Sequence, residues 1–589
     1  MKKKMLFALL LLVALLLLVG CNTTEESAET QKSTEAQQTE QPTEKPTEPA
    51  PEKEEEKMDE SKFNVFFNKE YVCAFVISNE ATEEETEIFT EFGKTLAGHI
   101  GKRVTFVKES ELSGEYKYYV VLGNTSMQES KDAAATLGER EASAKIVGNK
   151  LVVVYQNNSA AKGILNLIME DMEKSKPLYV SLEADYSKQF KALPEISALP
   201  KYPDPDESSI DCGEGGYMTL VKNATPSKFQ SYCSEIEAAE FEQVFYREEA
   251  DNLFTTFIGA NEFIYIYYTD YNKQMRIITG PIESLALEDN NSYGSEKYSP
   301  FLMSVKQPSN GEGFIIRLPD GRFIIVDGGY KGEDRIYNAL RGIEKGKIVV
   351  AAWFISHPHG DHYPAFIDFA KAHGNDSTIK IEQLLFNFAS ADKHSINGSA
   401  GEDLSGESVK EIYATARTYM PDLPIREVHT GQMMYFDSAS VEVLYTIEDL
   451  LPSALPNGND ASLVIRVNVA DQSIVFLNDT CYASGPILNN IWGDHLKSDI
   501  VQVAHHGMYP ANKEIYESIK AEIVLIPGTT DGVKDWVVNS SWKPVYDVIF
   551  KYGKDIYICS DNKSLTLDLP FTPDNNKDEV LDYFASLRK

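Results

Sequence analysis

Apolar residues fall into contrasting patterns along the 589-residue chain. From Leu6 to Val19 they run almost uninterrupted behind Lys2, Lys3 and Lys4. A basic start followed by a short apolar run predicts a signal peptide over residues 1–20, too short to favour a spanning helix. Residues 22–60 show the opposite pattern, dominated by Thr, Glu, Gln, Ser, Pro, Lys and Ala. So few apolar side chains cannot offset the entropy of ordering, which predicts a disordered tether over 21–60 with a reach of roughly 30–40 Å.

Short apolar runs then alternate with helical periodicity. Residues 118–122 read as a strand closed by Gly123-Asn124, 151–155 as another, and 160–172 as a helix. A small α/β domain over 61–198 follows, with Pro200, Pro203 and Pro205 marking a linker. Over 206–297 the pattern predicts a small α+β domain, with a helix at 229–241 and a hairpin pairing 263–268 with 275–278. The alternating Ile and Tyr of that hairpin fit a strand buried on both faces. From 298 to 572 strand, turn, strand and helix succeed one another: 313–318 and 322–326 flank the turn Pro319-Asp320-Gly321, 334–343 is helical, and 348–355 is a buried strand. A tail occupies 573–589.

Composition agrees with several packed cores. The chain is too long for one core, and its 42% hydrophobic residues include 28 Phe and 31 Tyr. The formal charge of −34 becomes more negative once the leader's lysines are lost. Such a surface weighs against nucleic acid as a partner, because sequence-independent binding relies on Lys and Arg neutralising phosphates. None of the six Cys has C-x-x-C spacing, so no Cys-based zinc site is visible. Cys212 and Cys233 bracket one small segment and are the pair to consider in an oxidising compartment.

The chemistry gathers where strands end. Ser356-His357-Pro358-His359-Gly360-Asp361-His362 places three of the chain's ten His and a carboxylate in six positions after a buried strand. Imidazole and carboxylate suit zinc, manganese or iron, and a loop after a strand lets such side chains converge on two metals about 3.5–4 Å apart. Asp327 follows the apolar run 324–326, Asp479 follows 474–477, and His505-His506-Gly507 follows 499–503.

In this order the motifs resemble the metallo-β-lactamase superfamily over 298–570. Within it they resemble the branch containing the extracellular domain of competence DNA-uptake proteins and bacterial phosphorylcholine esterases. Asn459-Asp460-Ala461-Ser462-Leu463-Val464, the doubled His505-His506-Gly507 and the closing Ile556-Tyr557-Ile558-Cys559-Ser560-Asp561 carry that likeness. The resemblance implies a C-terminal αββα sandwich behind the two small domains. It implies that His357 and His359 hold one metal, that Asp361, His362 and His506 hold the other, and that Asp479 bridges them. One or two divalent transition metals are implied, zinc first, with manganese or iron as alternatives. His394, His429 or no residue completes the first metal. Asp327 would orient the histidine loop from behind the ligands.

The resemblance further implies hydrolysis by metal-activated water, with Asp361 as proton acceptor and His505 stabilising negative charge. Asn459 and Lys543 are the expected substrate-binding residues. Two departures bear on the substrate: Met508 stands where the branch carries Ser, and Lys543-Pro544 where it carries His-Pro. The resemblance aligns His506-Gly507 with the family's common His-Gly pair, which implies His506 as the ligand; neighbours on a strand face opposite ways, so both are not expected to reach one metal unless the strand has already ended. Finally, Leu18-Val19-Gly20-Cys21 resembles the lipobox of bacterial lipoproteins, implying a lipidated Cys21 and a place on the outer face of the bacterial cell membrane.

The expected function is metal-dependent hydrolysis of phosphoesters or phosphodiesters in the cell envelope. The alternatives are an extracellular nuclease and a non-catalytic envelope-binding lipoprotein. The acidic charge weighs against the first and the full ligand set against the second. The membrane and a small or envelope phosphoester are the expected partners, and no protein partner is indicated.

Overall fold

Strands such as Phe323–Asp327 and Ile348–Phe354 are buried at every position because both faces of their sheet are covered. Alternation divides each run between two cores. Phe314, Ile316, Ile324 and Val326 enter one, and Ile315, Phe323 and Ile325 the other.

The computed structural model describes residues 57–202, 209–213, 215–286, 297–388, 406–453, 455–539, 541–561 and 563–587. The expected signal peptide, Cys21, nearly all of the expected tether, Pro203, Pro205 and His394 lie outside the described residues. The described chain is a multidomain α/β protein with several sheets.

Two of the sheets stack face to face in the C-terminal half. The first runs, in spatial order, Ile425–Glu427, Leu384–Phe386, Ile348–Phe354, Phe323–Asp327, Gly313–Arg317, Phe301–Ser304 and Leu565–Asp568. The second runs Met433–Phe436, Ala439–Tyr445, Val464–Val469, Gln472–Phe476, Ile500–Gln502, Ile523–Ile526 and Asp555–Ile558. Phe314, Val326 and Phe354 of the first interlock with Val443, Ile465 and Phe476 of the second. The outer face of the first sheet packs on Ile336, Leu340, Phe366 and Ile412 from helices. The outer face of the second packs on Leu488, Ile515, Val545 and Tyr546, also from helices. The result is four layers: helix, sheet, sheet, helix.

Parallel pairing at the centre of each sheet positions the chemistry. Phe323–Asp327 lies parallel to Ile348–Phe354, and Gln472–Phe476 parallel to Ile500–Gln502. Their C-terminal ends therefore lie at the same edge of each sheet, where loops are free to vary.

Two smaller units precede the sandwich. The first has a six-stranded sheet, including Tyr118–Leu122 and Lys150–Tyr155, packed against helices Glu83–Ile100 and Asn158–Glu173. The second is a six-stranded sheet packed, among the described residues, against the α-helix Pro226–Ala238. That helix begins and ends earlier than the 229–241 expected from apolar spacing. The Thr225 hydroxyl accepts from the Lys228 amide at 3.2 Å, and Pro226 suits the first helical turn.

The hairpin strand Glu262–Thr269 is buried on both faces. Ile264, Ile266 and Tyr268 join the core under the helix, whereas Phe263, Tyr265 and Tyr267 join the core of the sandwich. The Tyr265 hydroxyl donates to the Thr430 carbonyl at 2.8 Å, and that of Tyr267 to Asp449 Oδ1 at 2.9 Å. The two units thus share one apolar core. The possible Cys212–Cys233 pair does not form: Cys212 packs against the sandwich-side core and Cys233 lies in the core under the helix. Among the described residues no helix is long and apolar enough to cross a membrane.

Candidate metal centre

Sharp turns at strand ends aim the site residues. Asp327, Asn478, His505 and His506 all have left-handed backbone, with φ of 54°, 49°, 50° and 56°. Asp, Asn and His are the non-glycine residues that enter this region most readily. The loops are also tied together. Gly328 and Gly329 donate amides to the His362 carbonyl at 2.9 Å, Leu463 donates to the Ser356 carbonyl at 3.0 Å, and His505 donates to the Asn478 carbonyl at 2.8 Å.

Asp327 is fully buried and organises the histidine loop. Its Oδ1 accepts from the Ser356 amide at 2.8 Å, and its Oδ2 accepts from the Ser356 hydroxyl and from His362 Nδ1, both at 2.7 Å. A proton held on Nδ1 leaves Nε2 of His362 as the ligand atom.

Around that atom the expected ligands converge. His362 Nε2 lies 3.3 Å from Asp479 Oδ1 and 3.8 Å from Asp361 Oδ1. His506 Nε2 lies 3.0 Å from Asp361 Oδ2 and 3.5 Å from Asp479 Oδ2. His357 Nε2 is 3.8 Å from Asp479 Oδ2. Among the described residues three triads place one ligand atom each within 4.8 Å of one another: His357, His362 and Asp479; Asp361, His362 and His506; and Glu312, Asp479 and His506. Asp479 joins two of them, as a bridging carboxylate would. His359 stands outside the triads, its ring 4.5 Å from that of His357.

The electrostatics are those of imidazoles and carboxylates buried together. Burial lowers the pKa of His357, and His362 and His359 lower it further. Burial also opposes protonation of His362 and His506, yet the carboxylates win. Asp479, Asp327 and Asp361 raise His362 well above its usual range, and Asp479 with Asp361 raises His506 to about 10. For Asp479 the opposing effects are burial, which raises its pKa, and His506, His362 and His505, which leave it well below the usual carboxylate range.

The residues fit a metal. Imidazole and carboxylate donors are buried together, and the fully buried His357 Nε2 has no hydrogen-bond partner among the described residues. A buried polar atom without a partner is costly unless something absent from the protein chain satisfies it.

The other expected residues divide. His505 Nε2 lies 3.7 Å from Asp479 Oδ2 and 3.4 Å from Asn459 Nδ2, so Asn459 does reach the centre's edge. Both neighbouring His face Asp479 because the strand has ended at Gln502 and a turn carries them. Lys543 instead begins the helix Lys543–Tyr552, where it is exposed and pairs with Asp547 at 2.5 Å. His429 is fully buried, its Nδ1 2.8 Å from Glu448 Oε1 and its ring stacked on Tyr265, and it joins none of the triads. Aromatic rings continue outward from His505, whose ring centroid is 5.1 Å from that of Tyr509. Tyr509 in turn meets Trp536 and Trp542.

Sequence reasoning missed Glu312. It stands between Gly311 and Gly313 at the entry to a buried strand, a place where a carboxylate has no packing reason to be. That oddity was its only signal.

No protein family and no curated protein matches the sequence. Among solved structures the chain is similar to CmlA, a diiron β-hydroxylase from Streptomyces venezuelae, at 15% identity and a TM-score of 0.27, covering 47% of this chain and 55% of that one. It is similar to the metallo-β-lactamase fold protein YhfI from Bacillus subtilis at 15% identity and a TM-score of 0.27, covering 45% of this chain and 99% of that one. A flavodiiron protein from Giardia intestinalis overlaps at 11% identity and a TM-score of 0.19, covering 33% of this chain and 42% of that one. The chain thus spans about half the length of the hydroxylase.

Proposed function

We propose that the C-terminal sandwich is a metal-dependent hydrolase of the metallo-β-lactamase superfamily, cleaving phosphoesters or phosphodiesters at the cell surface. The observation that carries this reading is the convergence of His357, Asp361, His362, Asp479 and His506, from three separate strand ends, into overlapping ligand triads joined through His362, Asp479 and His506.

A bound divalent pair supplies Lewis acidity and activates water near neutral pH. The protein's own groups divide the remaining work. Asp361 is the least buried carboxylate of the set, with its side chain 25% exposed. Burial raises its pKa, but His362 and His506 outweigh that and hold it ionised, so it can accept a proton at the open side. His505 has a pKa lowered mainly by burial, so its ring is neutral at pH 7 and offers one N–H to negative charge developing on the substrate. Asn459 Nδ2 beside it donates to Nε2, which leaves that N–H on Nδ1. Asp327 holds His362 from behind.

The doubled His505-His506 and the Asn459–Val464 entry support a phosphoryl substrate, through their likeness to the phosphorylcholine esterase branch. Charge on the non-bridging oxygens of a phosphoryl group suits two cations and a neighbouring donor. The lipobox-like Leu18-Val19-Gly20-Cys21 supports the cell-surface placement, and the formal charge of −34 weighs against a nuclease.

Metal analysis of the purified protein, followed by assays on bis-nitrophenyl phosphate, nitrophenyl phosphorylcholine, a chromogenic cephalosporin and a nitrophenyl ester, tests the reading. Metal-dependent turnover of the two phosphoesters is expected. Turnover of only the other two substrates, or folded wild-type protein that binds no metal, overturns it.

A further inference from the structure

Glu312 is fully buried, and its Oε1 has no hydrogen-bond partner among the described residues. Its side chain is not loosely placed. Oε2 accepts from Gln502 Nε2 at 3.0 Å, and that amide is itself fixed by the Asn478 carbonyl at 3.3 Å and the Val503 carbonyl at 2.8 Å. The Glu312 amide donates to the Asp361 carbonyl at 3.1 Å, tying this strand entry to the histidine loop. The flanking glycines make the approach possible: a Cβ on Gly313 would stand 3.0 Å from the Gly328 backbone, and one on Gly311 2.9 Å from the Tyr330 ring. One carboxylate oxygen is thereby oriented by Gln502, and the carboxylate as a group lies in the cluster with Asp479 and His506.

A buried carboxylate oxygen with no donor is strongly unfavourable unless a cation or a strong donor meets it or the group takes up a proton. Among the described residues nothing donates to this one. We propose that Glu312 is a further protein ligand to the metal held by Asp361, His362, His506 and the bridging Asp479. Glu312 has this role only if the metal-dependent reading above holds.

The consequence is chemical. This position then has three carboxylates and two imidazoles, five protein donors of which three are oxygen. Zinc is most often four-coordinate with nitrogen or sulfur donors in excess, whereas manganese and iron accept oxygen-rich sites of higher coordination number. The structure thus points to manganese or iron at this position, with zinc the poorer fit.

The test uses the full protein and its Glu312→Gln and Glu312→Asp variants, stripped with chelator and titrated separately with Mn2+ and Zn2+. Stoichiometry, Kd and the metal-induced rise in Tm are read. Gln keeps the contact to Gln502 while removing the charge, so Mn2+ affinity is expected to fall by at least about 10-fold, with a smaller loss for Zn2+ and partial recovery in Glu312→Asp. Should Glu312→Gln not fold, Glu312→Asp, which withdraws the oxygen by one methylene, is read against wild type in the same way. Wild-type protein that binds metal beside a folded variant of unchanged affinity overturns the role of Glu312 alone. Wild-type protein that binds neither metal overturns the metal-dependent reading with it.

Discussion

Asp327 Oδ2 sits 2.7 Å from His362 Nδ1, and both side chains are fully buried. That one contact sets the tautomer of the imidazole at the middle of the cluster. Replacing Asp327 with Asn keeps the shape but loses the charged acceptor. The expected outcome is a metal affinity lower by about 10–100-fold with the fold retained, measured by metal titration alongside circular dichroism. Unchanged affinity would show that Ser356 and backbone contacts alone orient the ring.

The neighbouring His505 and His506 should separate in function. His506 belongs to two of the ligand triads, whereas His505 belongs to none and contacts Asn459 at the edge. His506→Ala is expected to lose metal and activity together. His505→Ala is expected to keep its metal and lose rate by roughly 100- to 1,000-fold, the range for removing one transition-state donor. Metal content and kcat measured on both variants decide, and the reverse pattern reassigns the ligand.

Metal binding should respond to pH in a defined direction. In the metal-free protein His506 is raised to about 10 and His362 well above its usual range, although burial opposes both, so each holds a proton at pH 7. A metal must displace those protons, so affinity should strengthen as pH rises from 7 toward 10, with protons released on binding. The sign for stability is opposite. A His raised from 6.5 to about 10 stabilises the metal-free fold fully below pH 6.5, and this is lost as pH climbs through about 10. Metal-free protein should therefore lose Tm between pH 7 and 10, while metal-loaded protein keeps it. Thermal melts of both forms across that range provide the check.

Cys21 is expected to carry the membrane anchor. Cys21→Ser should move the protein from the membrane to the soluble fraction without altering activity of the purified catalytic unit. Equal partitioning of variant and wild type would remove the lipobox reading.

Much of the centre was legible in the sequence because its key information is local. His357, His359, Asp361 and His362 lie within six positions behind an apolar run, and Asp327, Asp479 and His506 each follow another. A strand followed by a turn can be read from neighbouring residues alone, and such runs place their last residues at a sheet edge. The apolar runs of Glu262–Thr269 and Ile348–Phe354 likewise announced burial on both faces.

Contacts between distant segments had no such signature. Glu312 meets Gln502 across 190 positions, and only the stacking of the two sheets brings them together. His429 was a candidate ligand by residue type, yet folding gives it Glu448 and the Tyr265 ring contributed by the preceding unit. Strand alternation separates neighbouring side chains, but the chain leaves the strand after Gln502, and left-handed turns at His505 and His506 bring both rings to Asp479. Periodicity reports how each segment meets its own neighbours. Which buried charge meets which is decided by how the layers pack, because each polar group taken from water must find a partner in three dimensions.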